Sequence, residues 1–400
     1  MKKIEKIFFG FIFLVSLIFH FHNIDRFNPD FGFDGLDHQA YISWISTNHN
    51  LPNGFQDWEF LQTPLYYIGG AVFASVSANA QYLNLLVFIA LSFIVYTYSK
   101  SMIATLAVLC LPVANYLVPQ ITNEFMSGMW IVLSLFLIIN IPKFNKQKEL
   151  FKQIILTSMV ITLGFYTKYT SLSLIPILIL AIFLNRHISI SQKIKSTVLS
   201  SAFILLLISP ILFRNNSLYG KPLVMAPDIA VMGGEGAKRD LVFFTRLDWI
   251  YKTDIFNARK YSFSGGLWNT FWHDGEYSTV PVVPFHKKAL GLWLLGFPLL
   301  IMSFIGLIKI LKNNKATGII LFSYLFIALA SLVQYSIYIP YDYVLKAFYA
   351  FGIIVPYVLG LSEFSKIGKW QYRFALLILF IQFCLMISYF WIQPWWHVAK

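Results

Sequence analysis

Charge is what this sequence has least of. Only 12% of its 400 residues are Asp, Glu, Lys or Arg, about half the share of a soluble domain, while 58% are hydrophobic. That balance excludes a soluble globular chain and indicates a polytopic membrane protein. Cysteine is nearly missing too. Cys110 and Cys384 each sit in an apolar run, which excludes a disulfide framework and leaves them as packing residues. No small-residue cleavage site follows the first apolar run, Ile7 to Phe21, only His20-Phe21-His22-Asn23, so this run reads as a retained span and not a signal peptide. Internal repeats and low-complexity tracts are also lacking.

What is present is a series of apolar runs. After the first come 82–98, 102–118, 124–141, 153–168, 169–185, 196–213, 289–310, 318–338, 344–362 and 374–393, which makes eleven expected spans. The run from Leu65 to Ser77 is short for a span and reads as a partly embedded helix within 65–81. The expected fold is therefore an all-α polytopic membrane protein, a single integral domain over 1–400.

The net charge of +13 would suggest nucleic acid in a soluble protein, but here its distribution decides. With the N-terminus inside, the short cytoplasmic pieces hold Lys2, Lys3, Lys6, Lys100, Lys143, Lys146, Lys148, Lys152, Arg186, Lys193, Lys195, Lys309, Lys312, Lys315, Lys366, Lys369 and Arg373, 17 of 31 basic residues. Only Arg26, Lys168, Lys346 and Lys400 fall outside both these pieces and the long outer loop. This asymmetry puts the C-terminus outside. Of 18 acids, all but Glu5, Glu149 and Glu363 then face outward. An acid-rich outer face with no nucleic-acid partner points to work done on the extracytoplasmic side, and the expected location is the plasma membrane.

Two outer segments are long enough to be functional loops, 24–64 and 214–288. The first carries Phe33-Asp34-Gly35-Leu36-Asp37-His38-Gln39-Ala40-Tyr41-Ile42. A helix starting near Asp34 would put Asp34 and His38 on one face and Leu36, Ala40, Tyr41, Trp44 and Ile45 on another, the pattern of a helix lying on a membrane surface. Asp34 at its N-cap either caps a surface helix or serves as an exposed base. The second loop is rich in Phe, Trp, Tyr and Gly, which suits packing against a membrane or a sugar, and contains His273-Asp274-Gly275-Glu276.

Ionisable residues at membrane depth are costly and tend to mark function. Asn123-Glu124, Lys168 and Arg214-Asn215 all reach the outer level of Asp34 on this topology. Lys168 and Arg214 suit a phosphate, Arg by bidentate bonding and Lys as a point charge, unless they only snorkel or anchor helix ends. The same acids and Lys168 would also suit a transporter or a non-catalytic lipid-binding protein, although a transporter usually shows repeat symmetry and charges near mid-bilayer.

Asp34 with His38-Gln39-Ala40-Tyr41-Ile42, Leu51-Pro52, Thr63-Pro64-Leu65-Tyr66-Tyr67, Asn123-Glu124, Tyr166-Thr167-Lys168-Tyr169-Thr170 and Arg214-Asn215-Asn216-Ser217-Leu218-Tyr219-Gly220-Lys221-Pro222 occur in an order that resembles the GT-C superfamily. These are polytopic glycosyltransferases that use polyprenyl-phosphate sugars, related to protein mannosyltransferases and lipid A aminoarabinose transferases. The resemblance covers roughly the first 220 residues. It implies inverting transfer from a polyprenyl-phosphate sugar donor to a glycan, lipid or protein acceptor, with an acid of the first outer loop as base. That role falls to Asp34. Many relatives have Glu directly after this Asp where this chain has Gly35, and Asp37 restores the acid count, so the base is Asp34 or Asp37. His38, Glu124, Lys168, Arg214, Asn215, His273 and Asp274 are the substrate-binding candidates, with acceptor choice assigned to the 214–288 loop. No ligand set for a metal stands out, although a divalent metal at His273-Asp274-Gly275-Glu276 stays open.

Overall fold

The computed structural model describes residues 3–54, 58–76, 79–225, 239–248, 261–273, 286–340, 345–394, 396 and 398–400. Among these residues helices are the regular elements, apart from one isolated antiparallel bridge between Phe27 and Ala399. Among the described residues nine helices are long and apolar enough to cross a membrane, so the chain is an all-α polytopic membrane protein.

The first half comprises α1 (Lys3–Arg26), α2 (Gly35–Asn48), α3 (Leu65–Ser75), α4 (Gln81–Ser99), α5 (Met102–Leu109), α6 (Pro112–Tyr116), α7 (Asn123–Ile138), α8 (Gln147–Thr167), α9 (Leu174–Leu184) and α10 (Ile190–Tyr219). The second half adds α11 (Leu241–Thr245), α12 (Phe263–Trp272), α13 (His286–Asn313), α14 (Lys315–Tyr338), α15 (Ile354–Ser365) and α16 (Lys369–Phe390).

Nine of the eleven expected spans correspond to the nine membrane-length helices, 344–362 as a 3-10 stretch (Ala347–Ile353) running into α15; 102–118 and 169–185 do not. The first breaks between α5 and α6 because Pro112 has no N–H to give, and the Asn115 amide bonds the carbonyls of Leu109 (3.1 Å) and Leu111 (2.7 Å) at the break. The second opens as a 3-10 turn, Tyr169–Ser173, before α9 begins. Both still run the length of the bundle. Asn84 near the start of α4 bonds the Gln120 carbonyl at 2.7 Å, so 101–120 returns alongside α4 from its end to its beginning. Lys168 meets Glu124 at the start of α7, and Asn185 bonds the carbonyls of Ile141 and Phe144 just beyond its end, both at 3.0 Å, so 168–185 follows α7 throughout.

These ties give the bundle two distinguishable ends. Lys100, Lys143 and Asn185 lie at one; Asp34, Gln81, Glu124 and Lys168 lie at the other. The C-terminal residues join the second, where Asn28 N bonds Val398 O (2.8 Å), Lys400 N bonds Arg26 O (2.7 Å) and the Asn23 amide bonds Phe390 O (2.9 Å).

The middle of the bundle is apolar. Every residue of α5 is buried, while Leu205, Leu206 and Phe213 of α10 and Phe326 of α14 face outward, as lipid-facing positions should.

Candidate functional site

The site is built on α2 and α3, which pack side by side over the start of α7. Gly70 permits this approach: a Cβ there would lie 2.6 Å from Ile42 Cδ1 of α2. Asp34 precedes α2 in the left-handed region (φ 55°, ψ 31°), where an N-cap is normally extended, and its side chain makes no capping hydrogen bond. The carboxylate is therefore at the expected cap position but does not cap; it is exposed at the end of the bundle. Gly35 follows because nothing larger fits. A Cβ would meet Pro29 O at 2.8 Å and the Asp30 carbonyl at 3.3 Å, which is the physical reason no second acid stands beside Asp34.

The structure corrects the expected faces of α2. Leu36 is 63% exposed, and His38 is on the buried face with Gly35, Tyr41 and Ile42. His38 is drawn inward by partners from other segments. Its Nδ1 lies 3.0 Å from Tyr67 Oη, and Tyr67 Oη is 2.9 Å from Glu59 Oε2. Asn123 Nδ2 donates to the same Oη at 3.2 Å. Tyr67 is held by stacking on Tyr41 (centroids 4.0 Å apart, 19° between planes) and edge-on by Tyr66, whose Oη accepts the Thr122 N–H at 3.0 Å.

Charges surround this core. Glu124 is buried in the first turn of α7 and ion-paired with Lys168, which ends α8. Lys168 Nζ also stands 4.8 Å from the Tyr349 ring centroid. Lys346 is buried, its Nζ 4.2 Å above the Phe33 ring, one residue from Asp34. Asp34, Glu124, Lys168 and Lys346 all act electrostatically on His38. Burial nevertheless dominates and lowers the His38 pKa to about 4, so the ring is neutral at physiological pH. Burial, with Asp34 and Glu124 adding repulsion, pushes the Glu59 carboxyl up to about 8 against the pull of Lys168 and the Tyr67 hydrogen bond.

The remaining candidates lie around this cluster. Asp37 is half-buried in the first turn of α2. Arg214, near the end of α10, bonds the Pro52 carbonyl and Asn215 Oδ1 (3.3 Å), and its charge acts on Tyr41 and Tyr169. Asn215 is buried and donates to Tyr169 Oη at 2.8 Å. Arg214 and Asn215 thus adjoin the cluster on its Tyr41 and Tyr169 side. His273 is buried at the end of α12, a helix tied to this end by Thr270 Oγ1, which accepts the Ala347 N–H at 2.8 Å. Asp274 lies outside the described residues, as do Gly275 and Glu276. Among the described residues no group of three His, Cys, Asp or Glu is placed to hold a metal ion.

No known protein family, curated protein or solved structure matches this chain. The chemistry of the site rests on its own residues: an exposed carboxylate, a neutral imidazole, the buried Lys346 ammonium, the half-buried Lys168 ammonium and a buried carboxyl with a raised pKa, all at one end of an apolar bundle. Glu59, Tyr67 and Lys346 were not anticipated as site residues. The available sequence signal was an acid set between aromatics in Trp58-Glu59-Phe60, just ahead of the Tyr66-Tyr67 pair.

Proposed function

We propose that this chain is an inverting glycosyltransferase that moves a sugar from a polyprenyl-phosphate donor to an acceptor on the extracytoplasmic side of the plasma membrane. The observation that carries the reading is the convergence of Asp34, His38, Glu124, Lys168 and Lys346 at one end of the bundle, with Arg214 beside them. A sugar–phosphate bond needs a base at the acceptor hydroxyl and cations at the leaving phosphate, because charge develops at both places in the transition state. Asp34 is the base. Its carboxylate takes the acceptor O–H proton as the oxygen bonds to the anomeric carbon. The bond from that carbon to the phosphate oxygen breaks, and the polyprenyl phosphate leaves with the electron pair. Lys168 and Lys346 balance the phosphate charge, and Arg214 binds it from the rim.

The topology belongs to the same proposal. Counting 101–120 and 168–185 as crossings makes eleven, with the N-terminus in the cytoplasm and Asp34 and Lys400 outside. The 17-to-4 distribution of basic residues supports that orientation. A reporter active only in the cytoplasm and fused after Lys400 is expected to be silent.

A transporter or lipid-binding protein using the same acids and Lys168 is the competing reading, favoured by the hydrogen-bonded chain from His38 to Glu59. The placement of the charges at the ends of the bundle, away from its middle, weighs against it. The deciding experiment reconstitutes the protein in liposomes with a panel of polyprenyl-phosphate sugars and outer-face acceptors. Expected is acceptor-dependent release of polyprenyl phosphate in equal amount to glycosylated product. Proton or solute flux without such release would overturn the proposal.

A further inference from the structure

Tyr67 Oη has one hydrogen and two lone pairs, and three neighbours within hydrogen-bond reach: His38 Nδ1 at 3.0 Å, Glu59 Oε2 at 2.9 Å and Asn123 Nδ2 at 3.2 Å. The Asn123 amide nitrogen can only donate, so it takes one lone pair. One donor and one acceptor must then be shared between His38 and Glu59. The two are coupled through a single oxygen, because Nδ1 and Oε2 are themselves 3.5 Å apart, beyond a good direct bond. An ionised Glu59 can only accept, which makes Tyr67 donate to it and forces His38 to donate from Nδ1. A protonated Glu59 can donate to Tyr67, which frees the Tyr67 hydrogen for His38 Nδ1 and moves the imidazole proton to Nε2.

We propose that Glu59, acting through Tyr67, is a positioning residue that sets the tautomer of His38, so that a protonated Glu59 presents His38 Nε2–H as a hydrogen-bond donor to a phosphate oxygen of the lipid-linked sugar. The inference rests on the reading of this end as a sugar-phosphate site and deepens it. A neutral donor is useful here. The imidazole already has Lys168 and Lys346 near it, and a third full positive charge would compete with them, whereas a neutral N–H bonds the phosphate without that repulsion.

The groups facing His38 come from every neighbouring segment: Asp34 before α2, Tyr41 on α2, Glu59 from its 3-10 turn, Tyr66 and Tyr67 on α3, Glu124 on α7, Lys168 after α8, and Lys346. Two carboxylates and two ammonium groups act on His38 in opposite directions, and the hydrogen bond relayed by Tyr67 from Glu59 decides the tautomer. That proton is held until about pH 8, while His38 stays neutral down to about pH 4. The donor state therefore covers the physiological range and ends in mild alkali.

The test labels the full-length protein with 15N-histidine in lipid nanodiscs and reads which ring nitrogen of His38 is protonated by NMR, with His38→Gln identifying the signal among the eight histidines. Expected is Nε2–H at pH 7, switching to Nδ1–H near pH 8 in the wild type, with no switch in Glu59→Gln or Tyr67→Phe. Size-exclusion profiles and melting temperatures establish that both variants are folded. An Nδ1–H tautomer at pH 7, or a switch that survives in folded Glu59→Gln, would overturn the inference. Sugar-transfer rates measured in parallel should fall roughly tenfold or more across the same step in wild type, the effect of losing one hydrogen bond to a charged group, and lack that step in Glu59→Gln. A tautomer switch with no matching step in rate would overturn the phosphate assignment. An absence of any transfer would instead count against the proposed enzyme, leaving the coupling between Glu59 and His38 standing.

Discussion

The two ends of the bundle use the same residue types and bury them to different degrees. At the basic end, Lys309 and Lys366 reach Glu363 at 3.2 and 3.1 Å, and Lys146 reaches Glu149 at 3.4 Å, with the Lys366 and Lys146 side chains 60% and 74% exposed. At the other end, Glu59, Glu124, Lys346 and His38 are buried, and the Lys168 side chain is only 16% exposed. Exposed pairs contribute little to stability, and a sequence can carry them merely to orient the chain in the membrane. Buried charges cost several kcal/mol each to desolvate and persist where a ligand or reaction uses them. The contrast supports the proposed placement of the site at the end that holds Asp34.

The sharpest test of that contrast removes one lysine from each end. Lys168→Met leaves Glu124 buried without its cation and should cost about 3–5 kcal/mol of stability. Lys366→Met should cost less than about 1 kcal/mol. Melting curves of both variants in the same detergent check the pair, and equal shifts would erase the distinction between the ends. Lys168→Met with Glu124→Gln should restore much of the stability while donor binding stays weak, separating the structural from the functional share of Lys168.

Gly35→Ala is expected to rank next, at about 1–3 kcal/mol, because its Cβ would be forced to within 2.8 Å of Pro29 O. The same melting assay reads it. Glu59 provides a smaller, pH-resolved effect. Its folded pKa of about 8 lies above the ordinary 4.5, so the folded state keeps a proton the unfolded chain releases, and stability is lost as pH rises from about 4.5 to about 8. His38 acts oppositely but over a lower window: its pKa of about 4, against 6.5, loses stability as pH falls from 6.5 to about 4. Between pH 6.5 and 8 only Glu59 contributes of these two. The wild-type melting temperature should drop across that interval more than that of Glu59→Gln.

Much of this architecture was legible in the sequence because hydropathy and positive charge are read locally. The runs and loops that hold Asp34, Glu124, Lys168 and Arg214 needed no tertiary information, and their common level followed from parity. The side-chain faces of α2 were misjudged because they depend on neighbours distant in sequence. His38 has the look of a surface residue until Tyr67 packs over it through the gap at Gly70. Asp34 has the look of a helix cap until its left-handed backbone turns the carboxylate away. Glu59 gives no local sign of its raised pKa, which comes from burial and from carboxylates at positions 34 and 124. Lys346 enters the site from the far half of the chain by lying over Phe33, a contact no local pattern encodes.

The central claim is that the exposed carboxylate of Asp34 is the base of a sugar-transfer reaction. Asp34→Asn preserves size and the tolerance for a left-handed backbone but cannot take the acceptor proton. Measured on the reconstituted protein with a polyprenyl-phosphate sugar donor, transfer by Asp34→Asn should fall about 10²–10⁴-fold while donor binding and melting temperature change little. Transfer at near the wild-type rate by Asp34→Asn, with the loss appearing in Asp37→Asn, would give the role to Asp37. Undiminished transfer in both would contradict the account.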